Sequence, residues 1–172
     1  MPVATLDSFT ARRLNVRVPD LVDFRQRYEQ AVPPVPEAEV GAMVARGASW
    51  AEMLDYIDAV APSGFLIYFR LETQPLMGLA GDPARCTAYL MGNHTIAERM
   101  FRHDPRAMLY APLRTAIWEH GDGTAWFSTD QPSSHFSSLG IPEVTEVGLE
   151  LDRKLAALLK SLDVEVPAVL GP

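Results

Sequence analysis

Residues 113–128 read LRTAIWEHGDGTAWFS, and this stretch decides the fold. Leu113–His120 and Thr124–Ser128 are two strand-like runs. Gly121-Asp122-Gly123 stands between them and tolerates the positive φ angles of a tight hairpin turn. Two strands joined this way pair antiparallel. Working outward, Gly64–Glu72 is rich in aromatic and branched residues and reads as a central strand. Arg85–Met91 is a further strand, and Asn93 caps a short helix carrying Ile96, Met100 and Phe101. His103, Asp104 and Pro105 end that helix. After the hairpin a long helix starts at Pro142. Its Val144, Val147, Leu151, Leu155, Leu158 and Leu162 step by three or four, an apolar stripe that belongs on the sheet.

Toward the N-terminus, Leu14, Val16 and Val18 alternate with Arg13, Asn15 and Arg17, so Phe9–Val18 reads as a half-buried strand. Pro19 and Asp20 open a helix with Leu21, Phe24, Tyr28 and Val32 on one face. Pro33, Pro34 and Pro36 stop it, because each fixes its φ and lacks an N–H. A short helix over Glu37–Arg46 ends at Gly47. Ser49 and Glu52 have capping-box spacing, ahead of a helix burying Trp50, Met53, Leu54, Ile57 and Val60. The order β-α-β4-α implies an α+β two-layer sandwich, with an antiparallel sheet and helices on one face. Residues 1–172 form a single domain on this reading. Its core spans about 9–162, and 163–172 is a loosely attached tail.

The chain has 172 residues, 48% hydrophobic and 22% charged, with a net charge of −7. That charge argues against nucleic acid or an anionic membrane as partner, since phosphate binding relies on clustered Lys and Arg. The densest basic cluster, Arg12, Arg13 and Arg17, falls in the first strand and reads as a solvated sheet edge. Cys86 is the only cysteine, so an intramolecular disulfide is impossible, as suits a reducing compartment. Its neighbours make it a small core residue of a strand. The opening Met-Pro-Val-Ala-Thr-Leu-Asp lacks the basic and apolar regions of a signal peptide. No apolar run reaches the ~18 residues of a membrane span. The expectation is a cytoplasmic protein.

Five short motifs carry a resemblance. They are Met-Gly-Asn-His at 91–94, His-Asp-Pro at 103–105, Leu-Tyr-Ala-Pro-Leu-Arg at 109–114, Asp-Gln-Pro-Ser-Ser at 130–134 and Leu-Asp-Arg-Lys-Leu at 151–155. In this order and spacing the chain, from about Phe9 to Leu162, resembles the long bacterial and fungal form of the domain of unknown function 302 family. The resemblance implies a strand–helix–four-strand–helix fold similar to the TATA-box-binding-protein-like architecture. It implies no agreed activity, and the acidic charge gives no support to a DNA function. Family members usually show Gly-Asn-Pro where this chain has Gly92-Asn93-His94, so an imidazole replaces a proline at the first helical position.

The polar groups that could do chemistry gather in the second half: His94, His103, Asp104, Tyr110, Arg114, Glu119, His120, Asp130 and His135. His94 begins a helix, where positive charge is disfavoured, so a neutral imidazole able to act as a base is expected. His103 and Asp104 either terminate their helix or face a pocket as acid–base groups. Arg114 shares a strand face with Ala116 and Trp118; if helices cover that face, Arg114 needs an anion: Asp130, a helix-borne acid or a ligand carboxylate. Ser133, Ser134 and His135 sit too close in sequence for a hydrolase triad, and no Gly-x-Ser-x-Gly elbow occurs. No metal-ligand spacing, phosphate loop or dinucleotide fingerprint is present, so no metal and no cofactor are expected. Met77, Met91, Met100, Phe101, Met108, Tyr110 and Trp126 either fill the core or line an apolar cavity.

These residues point to a domain that binds a small apolar or carboxylate-bearing ligand. It would act as a cofactor-independent isomerase, cyclase or lyase, with His94, His103, Asp104 and Arg114 catalytic and Tyr110, Trp126, Asp130 and His135 binding the ligand. The rival reading is a non-catalytic homodimeric module for assembly or regulation.

Overall fold

A computed structural model describes residues 4–166 and 168–170. Strands β1 (Arg13–Val18), β2 (Leu66–Glu72), β3 (Arg85–Gly92), β4 (Leu113–Glu119) and β5 (Ala125–Asp130) form one antiparallel sheet in the order β1-β5-β4-β3-β2. The hairpin falls where its sequence places it. Trp118 pairs with Trp126, the His120 N–H···O=C Thr124 bond (2.9 Å) closes the turn, and Gly123 takes a φ of 80°.

The helices are α1 (Leu21–Ala31), α2 (Glu37–Ala45), α3 (Trp50–Val60), α4 (Gln74–Met77), α5 (His94–Phe101), α6 (Pro132–Phe136) and α7 (Pro142–Ser161). The expected caps form. Asp20 accepts from the Asp23 N–H at 2.8 Å, and Ser49 with Glu52 makes the reciprocal capping box. Every residue of the α7 stripe is buried, against α1 residues Phe24 and Tyr28 and strand residues Met91, Ile117 and Phe127. Each such Leu or Val contributes roughly 1.5–3 kcal/mol relative to exposure. Met43, Met53, Ile57, Ala61 and Leu66 make a smaller cluster where α2 and α3 meet the start of β2.

Several expectations shift. β2 lies at a sheet edge, not the centre. Residues 33–35 flank its first half, with Val35 N–H donating to Ile67 C=O at 3.0 Å and Ile67 N–H to Pro33 C=O at 2.9 Å. That cover buries Leu66 and Ile67 as a central position would, while Phe69 and Leu71 further along are exposed. β1 begins at Arg13 rather than Phe9, because Arg12 already bonds to the β5–α6 connection. Trp50, Leu54 and Phe101 are largely exposed, leaving Met53 with Ile57, and Ile96 with Met100, as the contact stripes of α3 and α5. Two short helices, α4 and α6, add to the elements expected from sequence.

The segment after α7 is not loose at every position: Val164 and Leu170 are buried in the main core. Asp163, in the left-handed region (φ 59°), turns the chain, and its carboxylate holds Arg27 at 2.7 Å. Pro167, Gly171 and Pro172 of that tail lie outside the described residues, as do the first three residues of the stretch read for a signal peptide. Among the described residues no helix is long and apolar enough to cross a membrane.

Candidate functional site

The end of β3 and the start of α5 build a cavity wall. Gly92 allows a close approach there, since a Cβ would lie 3.2 Å from the Cβ of Pro112 and 3.4 Å from its Cα. Asn93 then fixes the first turn of α5. Its Oδ1 accepts from the Thr95 N–H (2.9 Å) and hydroxyl (2.7 Å), and its Nδ2 donates to the Gly64 carbonyl (3.1 Å). His94 is thereby held as the first residue of the helix. Across from it, β2 shifts register between Ile67 and Phe69, and the extra residue of this irregularity is Tyr68.

Tyr68 and His94 form a close pair. The Tyr68 hydroxyl oxygen accepts the His94 backbone N–H at 2.8 Å and stands 2.6 Å from the imidazole Nδ1. Burial pushes the Tyr68 phenol up to about 12, so it keeps its proton at neutral pH. The phenol has one proton to give, and donation to Nδ1 corresponds to the tautomer with the imidazole proton on Nε2. Nε2 is buried and has no hydrogen-bond partner among the described residues. Burial also lowers the His94 pKa, favouring the neutral ring. The direction agrees with the expectation from sequence, but the cause is desolvation rather than the helix end.

The pair stands at an apolar cavity of about 210 Å³, walled by Met100, Met108, Pro112, Leu113, Phe136 and Leu151 besides Tyr68 and His94. For scale, an apolar cavity of roughly 150 Å³ accepts benzene. The floor of this region is tied by Asp152 on α7, which is 2% exposed. Its Oδ1 accepts the Ser133 N–H (2.9 Å), and its Oδ2 accepts Gln131 Nε2 (2.7 Å) and the Ser133 hydroxyl (2.6 Å). Gly148, one turn earlier, lets α6 seat directly on α7: a Cβ there would lie 3.0 Å from Phe136 Cβ and 3.1 Å from Ser133 Cα.

A second, smaller cleft of about 40 Å³ shares Pro112 and Leu113 with this cavity and is lined by Tyr110, Arg114, Asp130 and His135 among others. Asp130 is bound by Arg13 Nε at 2.8 Å and approached by His135 Nε2 at 3.3 Å. Partial burial raises the Asp130 pKa, but Arg13 and His135 outweigh it and the net shift is downward. The Tyr110 and His135 rings lie 4.9 Å apart, and Phe9 packs on both.

Four of the eight site residues expected from sequence thus meet in this cleft, and His94 meets the larger cavity. The other three go elsewhere. His103 is exposed in the turn after α5. Asp104 caps the short turn at 105–109, accepting the Arg106 N–H at 2.8 Å, and Arg106 holds its carboxyl below the usual range. Trp126 stacks on Trp118 on the sheet face that α1 and α7 leave open, with ring centroids 6.2 Å apart. Arg114 is not driven inward either. Leu113, Thr115 and Ile117 take the covered face, so Arg114 is exposed on the opposite one. Of the candidate cavity-lining residues, only Met100 and Met108 reach the His94 cavity. Among the described residues, no group of three or more His, Cys, Asp or Glu side chains is placed to hold a metal ion.

The model of the family described as domain of unknown function DUF302 matches residues 50–162, well over half of the chain. The chain belongs to the DUF302 family. A crystal structure of an uncharacterized conserved DUF302 protein from Bacillus stearothermophilus superposes with a TM-score of 0.61, covering 86% of this chain and 95% of that one. At 13% sequence identity this likeness concerns the fold. No curated protein matches the sequence. The DUF302 match covers β2 through α7, and so both cavity walls. The motifs quoted from sequence meet there: Gly92, Asn93 and His94, then Pro112 and Leu113, then Leu151 line one cavity. The 130–134 and 151–155 motifs meet at Asp152.

Sequence reasoning missed Tyr68, Phe136 and Asp152. Asp152 had a signal, being an acid between Leu151 and the Leu155 position of a buried stripe. Tyr68 had none, since an irregular register cannot be read from alternation.

Proposed function

We propose that this DUF302 protein binds a small, largely apolar molecule in the His94 cavity, with a hydrogen-bond acceptor on the ligand meeting His94 Nε2. The observation that carries this reading is the apolar cavity itself, with His94 among its lining residues and the buried Nε2 of that ring without a partner among the described residues. Buried polar groups are normally paired, and an orphan calls for a partner. Tyr68 supports the assignment, because its phenol sets the tautomer and leaves a donor, not a base, on Nε2. A carbonyl or ether oxygen suits that donor. A neutral imidazole N–H can also polarise a carbonyl, the step an isomerase or lyase would use. Binding is the part the geometry supports best, since His103 and Asp104 bring no second acid–base group to this cavity.

The test is a titration with benzamide and toluene, followed by the methyl NMR signals of Met100 and Met108. Benzamide is expected to move both signals and to lose about tenfold in affinity in His94→Ala, the value of one buried hydrogen bond. The reading fails if neither probe moves those methyls at millimolar concentration, or if His94→Ala binds benzamide unchanged.

A second reading has its own observation. Phe69 and Leu71 are 53% and 48% exposed on the open sheet face, beside half-buried Leu90, Ala116 and Trp118. A second copy laid on this face would bury them, making the protein a homodimeric assembly module. Light scattering that returns a strict monomer removes this reading.

A further inference from the structure

The cleft at Tyr110, Arg114, Asp130 and His135 has a different chemistry from the cavity beside it. Its volume is about 40 Å³, room for a small polar group. Two guanidinium groups, Arg13 and Arg114, stand against the single carboxylate of Asp130, so the cleft is net positive. Arg13 is committed to Asp130 at 2.8 Å, whereas Arg114 makes no ion pair among the described residues. His135 Nδ1 is buried without a partner there, its Nε2 being turned to Asp130. Among the described residues the Tyr110 hydroxyl has one long hydrogen-bond contact, from the Ser138 hydroxyl at 3.4 Å. Arg114, which has no ion pair among the described residues, and Tyr110 thus line the same small space, with His135 beside them.

Two segments wall both spaces. Pro112 and Leu113 line the cleft and the cavity alike, and adjacent residues of α6 divide between them, His135 to the cleft and Phe136 to the cavity. We propose that this cleft receives the carboxylate of the ligand whose apolar part occupies the His94 cavity, so that the ligand class is a small aromatic or short-chain carboxylic acid. The inference rests on the reading of the His94 cavity given above. Arg114 recognises the carboxylate by charge-assisted hydrogen bonds, and Asp130 is kept from repelling it by Arg13.

The probes are 3-phenylpropionate and its amide, titrated into the wild-type protein and Arg114→Gln. Met100 and Met108 methyl signals report the cavity, and the His135 ring and Trp118 indole signals report the cleft and the open sheet face. The acid is expected to bind at least about tenfold more tightly than the amide, moving the methionine and His135 signals together. Arg114→Gln is expected to abolish that preference and leave amide affinity as it was. Equal binding of acid and amide at the methionines overturns the carboxylate assignment while the cavity reading stands. An acid that moves His135 and Trp118 but not the methionines places the ligand on the open face and overturns the shared-ligand proposal. If neither probe moves the methionine methyls, the cavity reading itself falls.

Discussion

Asp152 and His94 are both polar side chains set among apolar ones beside the same cavity, and they are treated in opposite ways. Asp152 is almost wholly buried, and its two oxygens take three hydrogen bonds from Gln131 and Ser133. Among the described residues the imidazole of His94 has one hydrogen-bond partner, Tyr68, and its Nε2 has none. The first arrangement is complete without a ligand and ties α6 to α7. The second is incomplete. Motif residues whose polar atoms are satisfied internally hold this region together; His94, with one ring nitrogen left over, is where the proposed ligand is placed.

The largest expected effect lies on the completed side. Asp152→Ala leaves the buried donors of Gln131 and Ser133 without their acceptor and is expected to cost about 3–5 kcal/mol in urea unfolding. A loss below about 1 kcal/mol would mean that the knot is not structural, and the contrast with His94 would collapse. Next is Gly148→Ala. The added methyl meets Phe136 Cβ and the Ser133 backbone, so overpacking is expected to cost about 1–3 kcal/mol by the same measurement. A stabilised variant would show that α6 can lift from α7.

Smaller effects lie on the incomplete side. Tyr68→Phe removes the acceptor of the His94 N–H and the donor to Nδ1, for an expected loss of about 1 kcal/mol. Its sharper readout is the ring, which should lose its preference for a proton on Nε2. The pH dependence comes last. The His94 pKa is lowered in the folded protein from an ordinary value of 6.5, so between the two values the unfolded chain binds more protons. Stability is therefore full above about 6.5 and falls as pH drops through the lowered value. His94→Gln should flatten that part of a Tm-against-pH curve, and a curve with unchanged slope would place the titration elsewhere.

Much of the architecture was legible because it is periodic. The α7 stripe and the 113–128 hairpin are strong signals of period and turn chemistry, and both stand where the sequence places them. β2 was misplaced because cover by residues 33–35 and by α2–α3 buries an edge strand as a centre would. Arg114 depended on which face of β4 the helices cover. That is a choice of one residue in register, and composition does not make it. The site was legible in part. His94 stood out as a titratable group at a helix start, and four cleft residues were found because the strand ends at 114 and 130 gather polar side chains. Tyr68, which sets the His94 tautomer, depends on an irregularity in β2 that leaves no periodic trace.

The central claim is that His94 is a neutral donor awaiting a partner. Its most direct test is the ¹⁵N spectrum of the histidine rings at pH 7, recorded before and after addition of benzamide. The result expected is a neutral His94 with its proton on Nε2 and an Nε2 signal that moves as benzamide binds. A His94 that is charged at pH 7, or carries its proton on Nδ1, or ignores benzamide while Met100 and Met108 respond, would contradict it.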